Sequence, residues 1–148
     1  MNILITELSR YIIVFAMGLY VIESFWPLFL KKGDANRGVY IRQYVYIILI
    51  HTLGMASLYL AKNENRYIIF YFVQMFVIFF INRLTCILYE KISRMLLNHM
   101  CLLLSVGCTI LTRLNFDKAV RQFKIICVSL IIFVFIPILI KKIKWLKK

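Results

Sequence analysis

The chain has 148 residues, 63% of them hydrophobic and 17% charged, with a mean hydropathy of +0.85 and a formal net charge of +13. Soluble domains run at roughly 45–50% apolar even with glycine counted, and a soluble fold of this length would expose apolar patches well beyond the few hundred Å² that monomers tolerate, so composition excludes that class. The 19 Lys and Arg, set against 6 Asp and Glu, lie between apolar runs where they meet lipid headgroups, and no basic, aromatic-interleaved module for nucleic acid is present.

A closed barrel would need strands of roughly 10 residues alternating apolar and polar. The apolar runs here are continuous, and only 5 glycines and 2 prolines interrupt the chain, so the expected class is all-α with about five transmembrane helices. The first predicted span is Tyr11–Leu30, with room to begin as early as Leu4. Lys31 and Lys32 stop it, ahead of a turn-prone stretch with Gly33, Asp34, Asn36 and Gly38. It ends in Phe25, Trp26, Pro27 and Leu28 without a small-residue cleavage site, which marks a retained helix rather than a signal peptide. The second span is Tyr44–Ala61, closed by Lys62, Asn63, Glu64 and Asn65. The third starts at Tyr67, is clearly apolar to Ile81, and has room to run past Arg83 to Tyr89. The fourth is Met95–Thr112. The fifth is Ile125–Ile140, preceded by Asp117 as the expected helix N-cap and closed by Lys141 and Lys142. The third and fifth are short, so their flanking residues are expected to snorkel.

Basic residues on alternate sides set the orientation. One side carries Arg10, Lys62, Arg66, Arg113, Lys118, Arg121 and Lys124. The other carries Lys31, Lys32, Arg37, Arg42, Arg83, Lys91, Arg94 and the lysines of the C-terminal tail, and is the more basic. The second side is therefore expected in the cytoplasm, with the N-terminus outside and the C-terminus cytoplasmic. Residues 113–124 then form an external loop with four basic residues, against the usual bias.

Within the spans most signals concern packing. Cys101, Ser105, Cys108 and Thr112 recur on one face of the fourth helix, and such a face of small groups lets a neighbouring helix approach closely. Gly54, Ser57 and Ala61 do the same on the second, and Gly107 adds a further small residue to the fourth. Glu23, His51 and Gln74 are the polar residues deepest in the first three spans. Intramembrane ionisable groups are functional candidates, but these three are isolated in sequence and read as packing or interfacial groups. Cys86, Cys101, Cys108 and Cys127 form no CxxC and no zinc spacing with histidine, and all four read as buried free thiols. No nucleophile–base pair, glycine-rich phosphate loop or paired carboxylate is present, and no cofactor is expected.

The stretch Met100–Lys124, MCLLLSVGCTILTRLNFDKAVRQFK, resembles the opening of the FtsW/RodA/SpoVE family, also called SEDS. Leu103 and Gly107 match the Leu-x-x-x-Gly-like step of that family's first core helix. Arg121 and Gln122 match the Arg-Gln leading into its second, and Ile136-Pro137 falls near the end of that helix. Thr112-Arg113-Leu114 departs from the serine often found there, as in a subgroup from low-GC Gram-positive bacteria with an N-terminal membrane extension. The resemblance implies a three-helix extension over residues 1–92 and the first two helices of an incomplete core over residues 93–148.

It also implies a peptidoglycan glycosyltransferase of cell division, cell shape or sporulation in the bacterial cytoplasmic membrane. Such an enzyme polymerises lipid-linked disaccharide beside a class B penicillin-binding protein. The family's catalytic acidic residue lies in a later external loop, so no position of this chain inherits it, and the chain alone is expected to be inactive. Arg113, Lys118, Arg121 and Gln122, with Lys124, are the candidates for holding a lipid-linked peptidoglycan precursor or, more simply, anionic headgroups of membrane lipids. Two other readings remain: a self-contained membrane scaffold or regulatory subunit, and a transporter or channel subunit using Glu23 and His51.

Overall fold

The computed structural model describes residues 2–29, 35–89 and 92–146. These form five helices, α1 (Asn2–Phe29), α2 (Ala35–Lys62), α3 (Asn65–Leu88), α4 (Arg94–Leu114) and α5 (Phe116–Leu146), with no strand among the described residues. Each contains a stretch long and apolar enough to cross a bilayer: Glu7–Pro27, Gly38–Lys62, Asn65–Leu88, Arg94–Leu114 and Phe116–Pro137. The protein is an all-α, multi-pass membrane protein of five spans.

Several boundaries move from their sequence-based positions for identifiable reasons. Helix α2 begins well before Tyr44, because Arg42 and Gln43 find partners on α1 and need no loop to reach water. It stops at Asn63, which takes a left-handed φ of 52°, a conformation asparagine tolerates, and donates its N–H to Tyr59 O at 2.7 Å. Helix α3 runs through Arg83, whose guanidinium lies 5.4 Å over the Phe79 ring one turn back. Ser93 caps α4, its hydroxyl accepting from Leu96 N.

The largest difference lies at residues 113–124. The expected external loop is helix, and a single residue, Asn115, separates α4 from α5. Asn115 serves both helices: its N–H donates to Leu111 O at 2.9 Å, closing α4, and its Oδ1 accepts from Lys118 N at 3.0 Å, capping α5. The N-cap expected at Asp117 is therefore Asn115, and Asp117 sits inside the first turn, where a carboxylate complements the helix dipole. Asn115→Ala should cost about 1 kcal/mol, read as a lowered unfolding midpoint in detergent micelles. Asp117→Asn should cost only a few tenths.

Helices α2 and α4 lie at the centre of the bundle. Helix α1 packs along α2, α5 packs along α4, and α3 contacts α2, α4 and α5. The core is layered. One apolar cluster joins Tyr20, Ile47, Ile78, Ile81, Leu97 and Cys101. The other joins Met55, Leu58, Phe70 and Ala119 toward the Asn115 turn. There Phe116 meets Tyr67 and Phe70 edge-on at 5.2 and 5.3 Å. Arg66, ion-paired to Glu64, lies 4.9 Å over the Phe116 ring and ties the start of α3 to the start of α5. Between the two clusters lies a polar layer. His51 falls between Ile47 and Met55, Gln74 between Phe70 and Ile78, and Ser105 between Cys101 and Cys108. Each step is one helical turn, so the three polar residues occupy similar depths near the middle of α2, α3 and α4.

Candidate lipid-binding slot and buried polar layer

The small-residue face of α4 is buried along its whole length: Cys101, Ser105, Cys108 and Thr112 are each at most 9% exposed. Ser105 and Thr112 face inward, and Thr112 donates its hydroxyl to Cys108 O, which gives this buried side chain a partner within its own helix. Facing them on α2, Gly54 is buried, and a Cβ built on it would lie 2.7 Å from Thr109 Cγ2. Ser57 is half-buried and donates to Gly54 O at 2.7 Å, while Ala61 is exposed. Gly107 is exposed and lines a groove between α4 and α5, where a Cβ would meet nothing within 4 Å, so no close approach of a neighbouring helix requires a glycine there. Its place in the sequence lies one or two residues off the buried 101–105–108–112 stripe, which decides the face.

The polar layer is tightly built and only partly satisfied. His51 Nδ1 lies 3.1 Å from Ser105 Oγ and 3.4 Å from Thr109 Oγ1, and the ring stacks on Tyr71 at a centroid distance of 5.7 Å. Tyr71 OH is 2.9 Å from Thr52 Oγ1. His51 Nε2 and both amide atoms of Gln74 are buried without a hydrogen-bond partner. His51 is therefore tied to α4 through Ser105, while Gln74 is buried among the packed helices with no such tie.

A second network ties α1, α2 and α4 at the end of the bundle where α4 begins. Glu23 Oε1 accepts from Arg42 Nε at 2.7 Å, and Glu23 O accepts from Gln43 Nε2. Asn98 Nδ2 donates to Gln43 Oε1 at 3.1 Å and to Tyr40 O at 3.0 Å. Glu23 is thus an ion-pair partner of Arg42, while Lys31 lies outside the described residues. Of the cysteines, Cys101 and Cys108 are buried and Cys127 half-buried, but Cys86 is exposed, all four being free thiols. Thr85, beside it, takes the inward position.

At the opposite end, α1, α2 and α4 enclose a slot of about 220 Å³. Its walls are apolar, with Ile13, Met17 and Ile50 deep in the spans and Thr109 as a polar point. Arg10 of α1 and Arg113 of α4 line the same slot. Arg10 Nη1 is 3.0 Å from Glu7 Oε1, both side chains being about half exposed, and Arg113 makes no ion pair among the described residues. Exposed ion pairs of this kind contribute little, so Arg10 is free to exchange Glu7 for another anion. An apolar slot with guanidiniums at the headgroup end fits an amphiphile with an anionic head.

The structure separates the four candidates for anion binding. Arg113 lines the slot. Lys118 and Arg121 are exposed on the first turns of α5, outside the slot. Gln122 lines apolar grooves between α4 and α5, beside Met100, Leu104 and Ile126. Arg10 is the slot residue that sequence reasoning missed, although its side of the membrane was legible from the alternation of spans. Gln43 was missed because it falls just ahead of the expected start of α2. Among the described residues no group of His, Cys, Asp and Glu is placed to hold a metal ion. No protein-family model matches the chain, and no curated protein or solved structure matches it.

Proposed function

We propose that the chain is the N-terminal membrane part of a FtsW/RodA/SpoVE-like protein of the bacterial cytoplasmic membrane. Its role there is to bind the anionic head of a lipid-linked disaccharide at the Arg10–Arg113 slot. The observation that carries the binding role is the pair of guanidiniums on one otherwise apolar slot. Guanidinium forks match phosphate oxygens in pairs, and the apolar walls suit a polyprenyl chain. The choice of amphiphile rests on the order Leu103, Gly107, Arg121-Gln122, Ile136-Pro137, which lies on two consecutive antiparallel helices joined by one residue. The slot end is the less basic end, which the distribution of Lys and Arg assigns to the outside, where the lipid-linked sugar is polymerised. Chemistry belongs to a later part of such a protein, with a class B penicillin-binding protein as partner.

Two experiments test this. Arg113→Ala should reduce photo-crosslinking of the membrane-embedded protein to a polyprenyl-pyrophosphate probe by about tenfold, the loss of one charge-assisted hydrogen-bonding group. Undiminished crosslinking would remove the slot from the proposal. Separately, the DNA after the Lys148 codon should continue, directly or after one frameshift, into further apolar helices with an acidic external loop. A stop followed by an unrelated gene would favour the second reading, a non-catalytic membrane scaffold. That reading is supported by α5, whose span is almost wholly exposed and presents Val128, Ile131, Ile132 and Phe135 outward.

A further inference from the structure

At the end of the bundle opposite the slot, α2, α3 and α4 enclose a cleft of about 400 Å³. It is lined by Arg83 and Asn82 of α3, Arg94 and Asn98 of α4, and the rings of Tyr44 and Phe79. Three features make it more than a charged surface. First, its two guanidiniums come from different helices and neither has an ion-pair partner among the described residues, whereas Arg42, at the same end, is matched by Glu23. Second, two lining side chains are held in place. Arg83 lies over the Phe79 ring, and Asn98, 4% exposed, is fixed by its two hydrogen bonds to α2. Third, the cleft meets the hydrocarbon, since Arg83 lies inside the third span and Ile41 and Phe79 beside it are about half exposed.

We propose that this cleft binds the phosphate of an anionic membrane phospholipid, whose acyl chains lie along Ile41 and Phe79. Two forked donors lining one cleft suit a phosphodiester, and the exposed apolar flank favours a lipid over a soluble anion. The site stands apart from the Arg10–Arg113 slot, and it neither requires nor supports the reading of that slot.

The test uses the full chain purified in a neutral detergent, mixed with micelles carrying phosphatidylglycerol or phosphatidylcholine, with retained lipid read by native mass spectrometry. Phosphatidylglycerol should be retained in preference, and with the slot disabled throughout by Arg113→Gln, Arg83→Gln/Arg94→Gln should lower its retention about tenfold. Lys62→Gln, an exposed change at the other end, should leave retention unchanged. Should circular dichroism show the double variant unfolded, Arg83→Lys/Arg94→Lys keeps the charge while losing the fork, and its retention should fall between wild type and background. Equal retention of the two lipids, an equal loss in Lys62→Gln, or wild-type retention in both arginine variants would overturn the proposal. Displacement of the lipid by millimolar inorganic phosphate would overturn the lipid assignment in favour of a soluble anion.

Discussion

Gln74→Met is expected to stabilise the bundle, by about 1–3 kcal/mol. The amide is 1% exposed, and neither its nitrogen nor its oxygen has a hydrogen-bond partner. A buried amide without partners costs about that much on the scale of protein mutational data, and methionine offers an unbranched chain of similar length that fills the same space. The gain should appear as a higher midpoint of unfolding by denaturing detergent. The surroundings favour this sign: Gln74 is flanked one turn away by Phe70 and Ile78, both members of the apolar clusters.

His51 differs in a way that sharpens the test. Its Nδ1 is engaged with Ser105, so an apolar replacement there would strand a buried hydroxyl, and no comparable gain is expected. A destabilised Gln74→Met protein would mean that the amide does find a partner in the membrane. That outcome would turn the polar layer from a packing feature into a binding one.

The outline of the fold was legible because lipid imposes a simple rule. Long apolar runs must be helices, since no water is available to satisfy exposed backbone, and the buried stripe Cys101–Ser105–Cys108–Thr112 follows from helical periodicity alone. Boundaries were less legible wherever a polar residue found a partner within the bundle. Arg42 and Gln43 read as loop residues until α1 supplies Glu23, and Arg83 reads as a break until Phe79 supplies a ring. The Arg113–Lys124 stretch was misread as a loop because charge was taken to mean water. In fact Lys118, Arg121 and Lys124 lie on the first turns of a helix, close enough to its end for long side chains to reach the headgroups. The slot was half legible. Arg113 was singled out, but its pairing with Arg10 depends on how α1 and α4 both pack against α2, which spacing along the chain does not encode.

The closest constraint on that packing is Gly54, and Gly54→Leu is expected to destabilise the protein by about 3 kcal/mol, the upper end for overpacking a tight core. A Cβ at this position would lie 2.7 Å from Thr109 Cγ2 and 3.6 Å from Thr109 Oγ1. Thr109 is poorly able to turn aside, because its hydroxyl donates to Ser105 O at 2.9 Å and lies 3.4 Å from His51 Nδ1. Relief must therefore come from separating α2 and α4, which lengthens the 3.1 Å contact between His51 and Ser105 and distorts the slot that Gly54 and Thr109 line. Thr109→Ser removes the offending methyl while keeping the hydroxyl, so it should recover much of the loss in Gly54→Ala, and a double-mutant cycle reads this coupling directly. Gly107→Ala is the internal control: with open space around it, it should gain up to about 1 kcal/mol from helix propensity. If both glycines respond alike, close approach of α2 and α4 is not what Gly54 provides, and the packing of the polar layer must be redrawn.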